Sequence, residues 1–168
     1  MSHWDHFHHT EFTMQEPWNL TVVQPAVKPV FKGDAPLRRD ALQDNLERAC
    51  EHIRVAQRYS RSKLVVFPEF FLHGFQPGRS NEDWIEASLR LDGPELATLG
   101  RAAASAGCYV AGMIYEVLDE FPGRFWNTAF ILDPTGKLAL VYRKLYAMTG
   151  KPRPGDVYSD YTRRYGGA

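Results

Sequence analysis

Two residues in this sequence pair a reactive charge with a position that could use it, Glu69 and Lys144. Glu69 follows Leu64-Val65-Val66-Phe67-Pro68, a continuous apolar run closed by a proline that has no amide hydrogen to give a ladder. Lys144 follows Leu138 to Arg143, which reads as a second strand. Open α/β sheets bind ligands at the carboxyl ends of their strands. A carboxylate there can exchange a proton, and an ammonium can stabilise developing negative charge. Taken singly, each is more often a solvated loop charge. The two cysteines, Cys50 and Cys108, make neither a metal-spaced pair nor a disulfide framework. Cys50 sits beside the apolar stripe of a predicted helix and reads as a small core-edge hydrophobe. Cys108 opens a strand, at the end opposite Glu69 and Lys144 if the strands run parallel. His3, His6, His8 and His9 could bind a transition metal, but no spacing of cysteine or carboxylate closes a site around them. Residues 1–18 read as a flexible extension.

The elements that must position these groups follow from pattern. Leu20 to Gln24 is short, β-branched and closed by Pro25, which predicts a buried strand. Asp34 is placed to cap a helix from about Ala35 to Tyr59, whose apolar positions Leu42, Leu46, Ala49, Ile53 and Ala56 recur at helical steps. The run at Leu64 predicts a strand of the kind covered on both faces. Asp92-Gly93-Pro94-Glu95 begins another helix, with Asp92 as its cap, Leu96, Leu99, Ala103 and Ala106 as its apolar face, and Gly107 as its stop. Strands are expected over Tyr109 to Glu116, Trp126 to Leu132 and Leu138 to Arg143. The last two are joined by Asp133-Pro134-Thr135-Gly136, which is strong hairpin chemistry. Strand, helix, strand, helix and three strands give an α/β fold, with a mixed sheet and helices on one face. There is no internal repeat. A flavodoxin-like nucleotide binder would share the alternation, but the sequence has no phosphate loop or dinucleotide glycine pattern.

Val65 to Phe75, Val-Val-Phe-Pro-Glu-Phe-Phe-Leu-His-Gly-Phe, resembles the glutamate motif of the nitrilase superfamily, the carbon–nitrogen hydrolases. Trp126 to Lys137, followed by Tyr-Arg-Lys-Leu-Tyr at Tyr142 to Tyr146, resembles the family's hairpin and lysine motif. With the first strand and both helices, the resemblance spans roughly residues 20–146. It implies a nitrilase-like α-β-β-α sandwich, of which residues 19–168 would be the N-terminal part. It also implies that Glu69 is a general base, Lys144 an oxyanion-side lysine, and a cysteine the nucleophile a few tens of residues later. No cysteine follows Lys144. The chain is therefore read as stopping before the cysteine strand, with no nucleophile of its own and no activity by itself. The resemblance further implies that Glu69 and Lys144 meet at salt-bridge distance, about 4 Å, around one concavity. Asn127 matches a family asparagine and is read as a structural hydrogen-bonding residue of the hairpin. His73 is read as a loop histidine near the pocket mouth, and Tyr146 stands where many members carry histidine. Met148 to Ala168 corresponds to an irregular loop beside the pocket, with Arg163-Arg164 a solvated loop end.

Composition narrows the partners. Of 168 residues, 44% are hydrophobic and 13% aromatic, enough for a real core. Lys plus Arg and Asp plus Glu number 20 each, and that neutrality argues against a nucleic-acid partner, which needs a basic excess. No apolar stretch approaches the ~20 residues of a membrane span. Two unpaired cysteines and no apolar signal run make the cytoplasm the default compartment. No cofactor and no metal are expected. The resemblance implies a small-molecule amide, nitrile or carbamoyl substrate and a homo-oligomer in the full-length family form. The competing reading is a non-catalytic binding or assembly module that keeps half of the fold.

Overall fold

A computed structural model describes residues 16–145 and 154–166. The extension expected over 1–18 therefore lies almost wholly outside the described residues, as do Tyr146 and Met148. Five strands, β1 (Leu20–Val22), β2 (Leu64–Val66), β3 (Tyr109–Glu116), β4 (Trp126–Leu132) and β5 (Leu138–Arg143), form one mixed sheet in the order β1-β2-β3-β4-β5. The first three run parallel, while β3, β4 and β5 form an antiparallel meander. Both connections between parallel strands pass through helices, as parallel pairing requires.

Helix α1 (Arg39–Ser60) buries Leu42, Leu46, Ala49, Ile53 and Ala56, the stripe expected from the sequence. It begins later than Asp34 would have it, and Arg38 occupies the cap position without a side-chain bond. Pro36 explains the delay, because it disfavours helical backbone at Ala35. The intervening segment is instead pinned by Arg38 N donating to Val30 O at 2.8 Å. Helix α3 (Pro94–Ala106) starts with Pro94 at its first position and Gly93 as cap. Asp92 is not the cap. Its carboxylate accepts from Arg90 Nε at 2.9 Å. A shorter helix unseen in the sequence, α2 (Asn81–Ala87), opens with a capping box of Ser80 and Asp83. The tail expected as irregular loop contains a 3-10 turn (Pro154–Val157) and α4 (Tyr158–Tyr165).

Helices α1 and α3 pack on one face of the sheet. Alternation places Val65, Val110, Ile114, Thr128, Phe130 and Leu132 on that face, and all are buried. The opposite face is apolar but open. Leu64, Val66, Ala111 and Met113 are half-buried there, and Leu20, Val22, Tyr109, Leu140 and Tyr142 are exposed. The first strand is thus an exposed edge, not the buried strand its composition suggested, and β2 is fully covered on one face only.

Candidate active site

The site lies where β2 and β5 end. One further bond, Phe67 N to Ala111 O at 2.9 Å, continues β2 past Val66, and Pro68 then stops the ladder. Glu69 follows at once, on a turn in which Gly74 N donates to Phe70 O. On the other side, Lys144 N donates to Asn127 O at 2.9 Å, one step beyond β5. By alternation Lys144 and Asn127 share the open face. Lys144 Nζ stands 3.8 Å from Glu69 Oε1, with both side chains part-exposed. The two groups, 75 positions apart in the chain (144 − 69), meet as expected.

Asn127 joins them. Its Nδ2 donates a short hydrogen bond to Glu69 Oε1, so the reading of this residue as a member of the hairpin alone is corrected. Parity held the missed signal, since Asn127 lies on the face from which Lys144 projects. Tyr115 pairs with Asn127 across β3 and β4 and is buried. Burial, aided by the Glu69 carboxylate, pushes its hydroxyl well above the usual tyrosine range, so it stays protonated. Its ring packs among Trp84, Phe125, His73 and Phe70, with centroids 4.8–5.8 Å away.

His73 is not at a pocket mouth. It is 2% exposed, and its Nε2 lies 2.9 Å from Ala87 O. A carbonyl only accepts, so Nε2 carries the proton of a neutral ring. Burial holds the pKa down to about 4, with the Ala87 contact acting the other way. Unfolded, the ring takes up a proton near pH 6.5; folded, only near 4. The stability this represents is intact above pH 6.5 and is lost as the pH falls through that window, by about 3 kcal/mol in all. His73→Gln keeps a donor but does not titrate. It is expected to flatten the pH dependence of the urea unfolding free energy between 6.5 and 4. An unchanged slope would assign the effect to other groups.

The helix face beneath carries an ion pair that sequence reading missed. Glu116 is 1% exposed. Arg143 donates to it twice, Nε to Oε2 at 2.7 Å and Nη2 to Oε1 at 2.8 Å, and Thr128 Oγ1 donates to Oε2 at 2.6 Å. Helix α4 covers this network, with the Tyr165 ring 4.7 Å from the Arg143 guanidinium and Tyr161 4.9 Å from Trp126. Arg163 and Arg164 stay exposed on α4. With Glu120, Phe121, Arg124 and Asp160 they border a concavity of about 780 Å³ that shares no residue with the Glu69 cluster.

Neither cysteine lies on the sheet face that Lys144 and Asn127 share. Cys50 is half-buried on α1. Cys108 is buried just before Tyr109, which pairs with Leu64, so it lies on the order of 15 Å from the far end of β2. Burial raises both thiols above their usual pKa. Among the described residues no three histidine, cysteine or acidic side chains cluster as metal ligands, and no helix is long and apolar enough to cross a membrane. The four N-terminal histidines lie outside the described residues.

Comparison with known proteins bears on this geometry. A family model described as carbon–nitrogen hydrolase matches residues 19–167. The formamidase of Bradyrhizobium diazoefficiens is 33% identical over 110 residues, 62% of this chain and 30% of that protein. The omega-amidase NIT2-B of Xenopus laevis is 26% identical over 160 residues, 88% of this chain and 51% of that protein. The chain spans about a quarter to a half of the length of such relatives. A solved carbon–nitrogen hydrolase from Helicobacter pylori G27 shares the fold, with a TM-score of 0.61 at 18% identity over 80% of this chain and 41% of that one. An N-terminal amidase does so with a TM-score of 0.59 at 20% identity, over 77% and 28%.

Proposed function

Since the chain belongs to the carbon–nitrogen hydrolase family, we propose that Glu69 and Lys144 are two of three working groups for cleaving a small-molecule amide, the third being a thiol. The observation that carries this reading is their approach to 3.8 Å from the ends of separate strands. In it, Glu69 takes the proton of the thiol, and the thiolate attacks the amide carbon. The Lys144 ammonium stabilises the oxyanion that forms. Glu69 returns the proton to the departing amine or ammonia, leaving a thioester. It then deprotonates a water that releases the acid and regenerates the thiol. Amide is preferred over nitrile or carbamoyl substrates because the relatives are named formamidase and omega-amidase. Assembly with further copies of a longer protein belongs to the same reading.

Cys50 and Cys108 both belong to the helix side of the sheet, away from the face that bears Lys144, so in this reading neither is the nucleophile and the thiol is supplied separately. The expected result is no ammonia from short aliphatic amides or nitriles with the chain alone. Slow release is expected when a thiol is supplied, as a small mercaptan or on the cysteine-bearing half of a relative. Glu69→Gln and Lys144→Ala should each lower that release about a hundredfold. Release by the unaided chain that disappears with Cys108→Ser would overturn the reading. A second reading, a non-catalytic assembly module, draws on the open apolar face bearing Leu20, Val22, Tyr109, Leu140 and Tyr142. It gains if no supplied thiol produces ammonia.

A further inference from the structure

We infer that Asn127 is the positioning residue of the Glu69–Lys144 pair, an inference that rests on those two being the working groups of the site. Its two ends touch the two partners separately. The side-chain Nδ2 donates to Glu69 Oε1, and the main-chain oxygen accepts from Lys144 N at 2.9 Å. One residue of β4 thereby ties the turn after β2 to the end of β5.

The contacts argue against a role in the hairpin alone. A hairpin residue would spend its amide on neighbouring backbone. Among the described residues, the polar partner of this amide is Glu69, 58 positions away in sequence, and its Oδ1 is buried with no hydrogen-bond partner. Glu69 and Lys144, for their part, are 36% and 46% exposed at the side chain, so burial does not hold them in one rotamer. A single amide donor to a charged carboxylate is then enough to bias the orientation. The oxygen that Asn127 holds is also the one that faces the ammonium. The amide and the ammonium therefore both stand on the Oε1 side of the carboxylate, one as a hydrogen-bond donor and the other as an ionic neighbour.

The test uses the full chain. In an NMR titration of protein carrying ¹⁵N and side-chain carboxyl ¹³C labels, the Asn127 side-chain amide protons are expected to move with the same midpoint as the Glu69 carboxyl carbon. Glu69→Gln should abolish the movement. An amide that stays flat while Glu69 titrates would overturn the inference, whatever any variant does. Carbodiimide coupling supplies the second arm, because it joins a carboxylate to an amine only in contact. The Glu69–Lys144 cross-link is quantified by peptide mass spectrometry. Asn127→Asp keeps the shape and every main-chain bond of β4 but replaces a donor by a like charge, and is expected to lower the yield about fivefold or more. Asn127→Gln, which retains the donor, should recover part of it. Unchanged yield in Asn127→Asp removes the positioning role and leaves the pair standing. No cross-link in the wild-type chain removes the pair itself.

Discussion

Glu116→Ala is expected to lower the unfolding free energy by about 3–5 kcal/mol, because it strands the Arg143 guanidinium in a nearly dry site. Three donors converge on the two oxygens of Glu116, and the Arg143 side chain is 11% exposed. A charge so placed cannot recover its lost hydration once its partner is gone. The size of the effect does not mean that the pair adds that much net stability. Removing both charges together, as Glu116→Met with Arg143→Met, should cost far less than the single change, since desolvation of each ion offsets much of their attraction. Urea unfolding at 25 °C decides this through the midpoint at unchanged slope. A loss under about 1 kcal/mol for Glu116→Ala would mean that water already reaches Arg143. There is a consequence for the site. Arg143 and Lys144 are consecutive and face opposite sides of β5, so the double change should weaken the hold on Lys144 even where it spares stability.

What could be read beforehand and what could not divides along a physical line. The boundaries of β3, β4 and β5 were legible because their evidence is local. Runs of apolar residues set each strand, and Asp133 with Gly136 sets the turn between the last two. The face of α1 was legible for the same reason, and the meeting of Glu69 with Lys144 followed from strand ends plus family resemblance. Helix α2 and its Ser80–Asp83 box are encoded locally, but seven residues beside glycine and proline are too few for a helical period to stand out. The partners of Asn127, Glu116 and His73 were not legible. Each is joined to something between 12 and 58 positions away, and only the folded sheet brings those atoms together. A lone glutamate at a strand end looks the same whether water or arginine awaits it. The caps proposed at Asp34 and Asp92 failed through competition. A proline reset the backbone after Asp34, and an arginine two residues before Asp92 took its carboxylate.

Gly136→Val is expected to cost roughly 2–5 kcal/mol, from two effects that act at one atom. Gly136 has φ +84, a conformation that costs a residue with a side chain about 1–2 kcal/mol. Its Cβ would also fall 2.4 Å from Gly100 O, a backbone atom of α3 that cannot swing aside. Overpacking of that kind adds about 1–3 kcal/mol. The approach is mutual, since a Cβ on Gly100 would meet Gly136 O at 2.5 Å. Gly100→Ala, which in an exposed helix would gain about 1 kcal/mol, is therefore expected to destabilise instead. Gly123→Val supplies the comparison. Its φ is +75 and nothing lies within 4 Å of its Cβ, so it carries the strain without the collision. Urea unfolding of the three variants separates the terms, and a Gly136 variant no worse than the Gly123 one would refute the collision. The contact matters to the site because the turn at Gly136 joins β4 to β5, the strands from which Asn127 and Lys144 emerge. A side chain inserted there should therefore loosen the grip on Glu69 at the opposite end of the strands, seen as a lower yield of the Glu69–Lys144 cross-link in whatever fraction remains folded.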